Sequence, residues 1–359
     1  MDQRAWVATR KGLFELQRRA GTWSVVRTAF LGEPVSALLP PDASGRMAAA
    51  LNLGHFGVKL HASDDAGATW HEVSTPRYPP QPPGEPVGGV AWNVVQLWTL
   101  EAAHGVWWAG TLPGGLFRSD DAGASWQLVE ALWNVAGRAE WAGGGYDVPG
   151  IHSICPHPER PGELLVAVSC GGVWLSSDDG ASWVSRAAGM RAGYMPPEQA
   201  ENPNIQDPHR IARCSAHPDV LWCQHHSGIW RSIDNAAAWH PVVSAPLSSF
   251  GFAVAAHPRR AGTAWFVPAV ADQLRVPIDA ALAVNRTRDG GATFDTLRQG
   301  LPQTGCYDLI YRHGLAVDSS GESLLMGSST GNLWASDDGG DSWVAVSANL
   351  PPIYALRFG

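Results

Sequence analysis

The sequence predicts an all-β fold, a seven-bladed β-propeller, from three observations. An eight-residue motif recurs six times at nearly constant spacing, a four-strand pattern fills the intervals, and partial patterns at the two chain ends complement each other. The motif occupies 63–70, 119–126, 176–183, 232–239, 287–294 and 336–343. Its closing aromatics are Trp70, Trp126, Trp183, Trp239, Phe294 and Trp343, so subtraction gives intervals of 56, 57, 56, 55 and 49 residues. That period suits one four-stranded blade with loops of varied length.

The elements follow in chain order. Segments 5–9, 12–15 and 22–25 read as the second, third and fourth strands of a blade whose own motif has decayed. The first motif-bearing blade has strands at 35–39, 47–51, 58–62 and 70–73, the third at 151–156, 163–169, 172–177 and 183–186, and the sixth at 315–317, 324–327, 333–336 and 343–346. The N-terminal blade lacks an inner strand, and residues 352–358 supply it. Six blades and one composite make seven in a single domain over 1–359, and pairing of the chain ends removes an exposed sheet edge.

The motif has a local logic. Asp and Gly suit a tight turn in which the Asp side chain bonds backbone amides two residues on and Gly takes a positive φ. The closing Trp is then placed to pack between neighbouring sheets. Copies one, two, three and six read SDDAGATW, SDDAGASW, SSDDGASW and SDDGGDSW, while copies four and five, SIDNAAAW and TRDGGATF, are worn.

This pattern, S-x-D-x-G-x-[ST]-W, resembles the Asp-box or BNR repeat of sialidases, some glycoside hydrolases, sortilin-type receptors and photosystem assembly factors, along essentially the whole chain. The resemblance implies the propeller. It implies less about function, because the box turn lies away from the site and one fold hosts many chemistries. Sialidases bind a sugar carboxylate through three arginines and use a Tyr nucleophile with a Glu partner. They typically have six blades and an Arg-Ile-Pro-type motif before the first box, where this chain has Ala37-Leu38-Leu39-Pro40. The nearest echo is His209-Arg210-Ile211-Ala212-Arg213, in a different blade. One glycoside hydrolase family with two seven-bladed propellers uses a pair of Asp in the cleft between them, whereas one propeller is legible here. The assembly factors imply a third class, a non-catalytic scaffold.

Composition narrows the partners. With 40 Gly, 27 Pro, 18 Trp and only 16% charged residues, the 359-residue chain suits a compact β domain. A net charge of −8 without a basic run argues against nucleic acid or an anionic membrane as partner. The N-terminus enters a strand with no leader pattern, and no apolar run is long enough to span a bilayer, so the expectation is a cytoplasmic protein. Five cysteines without a CxxC pair suit a reducing compartment.

Blade connections alternate between two faces. The face opposite the box turns carries long insertions at 77–91, 132–150, 187–208, 268–284 and 301–312. Loops beyond about 12–15 residues in a compact domain are usually functional or disordered. These are rich in Pro, Gly, Trp and Tyr, which points to an ordered lid over one end of the channel.

The 13 histidines divide accordingly. His157, His217 and His257 each precede Pro at matching inner-strand ends and read as turn residues of the repeat. His55, His152, His209, the His225-His226 pair and His313 sit where loops or strand starts reach the insertion face. Several imidazoles on one rim suggest a divalent metal, Zn, Mn, Fe or Co, with one position left for water. The expected ligands are His152, His209 and His313, with His226 or His55 as a fourth.

Asp147 and Asp207 stand close to His152 and His209 in sequence and are the favoured proton-moving acids, ahead of Glu140, Glu198, Glu201 and Asp308. Arg10, Arg210, Arg213 and Arg312 approach the same rim, where a bidentate guanidinium would suit a carboxylate. Tyr146 and Tyr311, with Tyr194, Tyr307, Trp98, Trp133 and Trp141, could wall an organic ligand. The function expected is a metal-dependent hydrolase or lyase acting on a small carboxylate-bearing molecule. The alternatives are a metal-free, sialidase-like or other glycoside hydrolase, or a non-catalytic scaffold.

Overall fold

The computed structural model describes residues 3–82, 91–144 and 146–359. The chain is an all-β, seven-bladed β-propeller, built of seven four-stranded antiparallel sheets. It divides into two compact units, Glu33–Pro208 and Met1–Gly32 with His209–Gly359.

The Glu33–Pro208 unit holds three sheets. The first has strands Val35–Leu39, Met47–Asn52, Val58–Ser63 and His71–Val73, in sequential order. The next runs from Gln96–Ala103 to Gln127–Leu128, and the third from Gly150–Pro156 to Val184–Ser185. Facing sheets share apolar clusters. Leu39, Leu60, Leu97, Trp107 and Phe117 form one, and Trp108, Leu116, Ile151, Val166 and Trp174 form the other.

The second unit holds four sheets, one of them composite. Strand Gln3–Thr9 pairs on one side with Gly12–Arg19 and on the other, antiparallel, with the C-terminal strand Ile353–Phe358. Val7 lies opposite Leu356 and Ala5 opposite Phe358, so the last strand buries its alternate side chains with Leu16 and Trp23. The other three sheets begin at Pro208–Arg213, Gly251–Ala256 and Leu315–Val317. Trp343 closes a cluster with Trp265, Leu297, Met326 and Trp334.

The box turns obey one bonding scheme in all six blades, and it differs from the expected one. Asp65 reaches the amide four residues on, not two: Thr69 N donates to Asp65 Oδ1 at 2.8 Å and Thr69 Oγ1 to Asp65 Oδ2 at 2.7 Å. The opening Ser63 hydroxyl caps the other limb, accepting from Gly67 N at 2.8 Å and donating to Asp65 Oδ1 at 2.8 Å. The worn fourth copy keeps the scheme, with Ala236 N on Ser232 Oγ at 2.9 Å and Ala238 N on Asp234 Oδ1 at 3.1 Å. The motif survives wear because the bonds come from its Ser/Thr and Asp alone.

The insertions are ordered by their own side chains. In 132–150 the Arg138 guanidinium carbon lies 3.3 Å from the Trp133 ring centroid, and Trp133 packs on Tyr78 at 4.7 Å. Glu140 accepts from Asn202 Nδ2 at 2.6 Å and Asn204 Nδ2 at 2.8 Å, tying 132–150 to 187–208. Glu140 is therefore a structural brace, not a base. The middle of the 77–91 insertion, residues 83–90, lies outside the described residues.

Candidate metal and anion site

The segment that delivers the site is shaped by Gln206. Its buried side-chain amide donates to Ala200 O at 3.0 Å and Asn202 O at 2.8 Å, and its backbone carbonyl accepts from Gly172 N at 2.9 Å. Asn202 caps the short 3-10 turn Pro203–Ile205. Asp207 follows, buried, with Oδ1 accepting from Ser169 Oγ and Cys170 N, both at 3.1 Å.

Two residues later His209 opens strand Pro208–Arg213. Its Nδ1 lies 2.7 Å from Gly251 O. A carbonyl can only accept, so Nδ1 carries the proton and the lone pair sits on Nε2. Gly251 itself leaves no room for a side chain, because a Cβ there would stand 2.4 Å from Val267 O. His226 comes from the turn between Leu221–His225 and Gly228–Ser232. Buried Gln224 shapes that turn, donating to His225 O, Gly228 O and Ser249 O at 2.9–3.3 Å.

His209 and His226 each offer a ring nitrogen, and these atoms lie within 4.8 Å of one another, with ring centroids 5.4 Å apart. Two imidazoles are donors that suit Zn, Mn, Fe or Co. His209 is oriented by its further hydrogen bond to Gly251 O, as metal ligands usually are.

Beside the histidines lies an aromatic and cationic cluster. The His209 ring stacks on Phe252 at 4.5 Å and 12°, and Phe250 meets His209 at 5.6 Å and His226 at 5.7 Å. The guanidinium carbons of Arg275 and Arg312 lie 5.4 and 5.5 Å from the Phe252 centroid, and Tyr311 packs on the same ring at 5.1 Å. Of these, Arg312 and Tyr311 are legible beforehand as rim residues. Phe250, Phe252 and Arg275 are not, and the one signal for Arg275 is its place in the 268–284 insertion.

Several expected site residues are placed elsewhere. His152 is fully buried, with Nε2 2.7 Å from Pro208 O and Nδ1 2.9 Å from Ser153 Oγ. Since Nε2 must donate to the carbonyl, Nδ1 accepts from the serine, and neither nitrogen is left for a metal. His55 is exposed on a 3-10 turn against Phe56. His313 bridges Ala355 through its backbone, beside the C-terminal strand. His313 does not join His209 and His226 in a group of possible ligands.

Asp147 is exposed at φ 60°, and Tyr146 beside it packs edge-on to Trp98 at 5.3 Å. Asp207, the other expected proton-moving acid, is held by Ser169 and Cys170. Arg213 points to the box end, donating to Pro218 O and to Asn235 Oδ1 at 2.9 Å. Arg10 is exposed, and Arg210 follows His209 on the strand, where alternation turns it to the other face. Asp308 is a structural hub, accepting from Asn332 Nδ2 at 2.8 Å and from Thr330 and binding Cys306 Sγ at 3.2 Å. Burial pushes the Cys306 thiol up to about 11, so it is inert. His157 and His257 are the turn residues expected of them, each Nδ1 accepting two backbone amides at 3.0–3.2 Å.

No protein-family model and no curated protein matches the sequence. Solved structures do. The chain is similar to the GH74 xyloglucanase from Xanthomonas campestris, with TM-score 0.64 and 18% identity over 97% of this chain and 53% of that one. It is also similar to YCF48 bound to D1 peptide, at 0.54 and 12% over 87% of this chain and 81% of that one. A third neighbour is YCF48 from Cyanidioschyzon merolae, at 0.54 and 13% over 87% and 84%. The chain thus spans about half the length of the xyloglucanase it matches. These structural likenesses support the class of fold, the seven-bladed propeller, which hosts both a glycoside hydrolase and a peptide-bound protein.

Proposed function

We propose that this chain is a metal-dependent hydrolase or lyase acting on a small carboxylate-bearing molecule, with a divalent ion, Zn, Mn, Fe or Co, held by His209 and His226. The observation that carries this is the convergence of the two imidazoles, with ring nitrogens within 4.8 Å. An ion with open positions would lower the pKa of a bound water to about 7 and supply hydroxide at neutral pH. The chain's own groups do the rest. Gly251 O holds His209 in place, and Phe250 packs against both histidines.

The test is elemental analysis of protein purified without a His-tag or chelator, beside His209→Ala and His226→Ala. We expect near-stoichiometric metal in the parent and at least about a tenfold loss of affinity in each variant. Absence of metal after reconstitution with all four ions would overturn the assignment. The second reading is a metal-free glycoside hydrolase or a peptide-binding scaffold, which the xyloglucanase and YCF48 neighbours support through shared fold. Turnover of glycosides by metal-free protein would favour the first of these.

A further inference from the structure

Phe252 is the hinge of the cluster beside the histidines. One ring contacts His209, Phe250, Tyr311 and both guanidinium groups. Phe252 is itself buried, with Ala269 and Leu309, while Phe250 and Tyr311 are partly buried against it. Two cations therefore sit one aromatic ring away from the candidate ion site. Arginine stays charged at any working pH and presents a planar fork matched to an oxyanion.

Arg275 is fixed before any ligand arrives. Its Nε and Nη2 donate to Asp272 Oδ1 at 3.1 and 2.6 Å, its Nε also meets Asp272 O at 3.0 Å, and it hydrogen-bonds the Tyr311 hydroxyl. Arg312 is more deeply placed, at 7% exposure. Asp272 also sets the charge of what can bind: a dianion at Arg275 would meet a carboxylate already in contact with that guanidinium. A monoanion meets less repulsion. The aromatic rings favour a flat or apolar body over a polyol.

We propose that Arg275 and Arg312 anchor the acid group of a small apolar monocarboxylate whose body lies against the partly buried rings of Phe250 and Tyr311. The location of its reacting bond beside an ion rests on the function proposed above, but the recognition does not.

The experiment is titration with phenylacetate by isothermal calorimetry, with benzyl alcohol and phenyl phosphate as neutral and dianionic controls, on samples of measured metal content. We expect phenylacetate to bind at least tenfold tighter than either control, and Arg275→Gln to weaken it at least tenfold while melting temperature and metal content hold. Arg312→Gln should weaken it as well, but it is the buried partner, so the half-exposed Arg275 carries the decision. Phenylacetate bound no better than benzyl alcohol, or unaffected by Arg275→Gln, overturns the anchor even in fully metallated protein. Tighter binding of phenyl phosphate overturns the monoanion class. Selective phenylacetate binding by protein that takes up no metal supports the anchor and removes the ion from beside it.

Discussion

His152 and His209 show how little residue type says without its partners. Both are buried histidines near inner-strand starts, yet Pro208 O and Ser153 occupy both nitrogens of the first, while Gly251 O fixes the tautomer of the second. His152→Ala should therefore leave metal content unchanged and lower stability by about 1–3 kcal/mol through orphaned buried groups, measured by denaturant unfolding beside elemental analysis. Loss of metal in that variant would contradict its assignment. The box aspartates make a pH prediction. Hydrogen bonds from Thr69 hold Asp65 at about 2, against an ordinary 3.8, and Ser125 and Thr293 do the same for Asp121 and Asp289. A depressed folded pKa contributes stability that is present above the unfolded value and lost as pH falls through the folded one. The melting temperature should then drop between about pH 4 and pH 2, and changing all three to Asn should flatten that limb.

Among elements, the box turn sets the strictest local demand. Its fifth residue takes a positive φ in every copy: Gly67, Gly123, Gly180, Gly291 and Gly340 at 83–95°, and Ala236 at 64° in the worn copy. Ala236 shows that a methyl is admitted where its neighbours allow it. At Gly123 they do not, since a Cβ would stand 2.9 Å from the Trp107 ring. We expect Gly123→Ala to cost about 1–3 kcal/mol, visible as a lower denaturant midpoint. Trp343→Ala, which empties the cluster around Trp265 and Met326, should cost about 3–5 kcal/mol, and an unchanged midpoint would contradict the packing described for that blade. The spacing signal places 315–317, 324–327 and 333–336 on the observed strands, whereas 12–15 and 22–25 end four residues short of Gly12–Arg19 and Thr22–Ala29. The outer strands are the loosest, because their faces are mostly exposed and pairing with the third strand alone sets their length.

On the scale of the whole molecule, the composite blade makes the unit that contains both chain ends depend on its last residues. Strand Ile353–Phe358 covers Gln3–Thr9 and buries Ile353 and Leu356. Ending the chain at Pro352 should expose the unpaired edge of Gln3–Thr9 and make the protein aggregate, detectable by light scattering and by faster amide exchange at Val7 and Ala8. Preserved solubility and protection would mean that the first strand holds without its partner.

The sequence by itself determined the class of fold, the blade count and the pairing of the chain ends. Those follow from periodicity and strand pattern, which are local properties repeated along the chain. It also marked the insertion face and named Asp207, His209, His226, Arg312 and Tyr311 as rim residues. Only the tertiary structure decided which of them meet. Insertions carry no repeat to fix their direction, so the path of each depends on contacts such as Gln206 to Ala200 O, Glu140 to Asn202 and Asp308 to Asn332. Whether a histidine can ligate depends on what its second nitrogen touches, and that partner lies far away in sequence: for His209 it is the carbonyl of Gly251, 42 residues on.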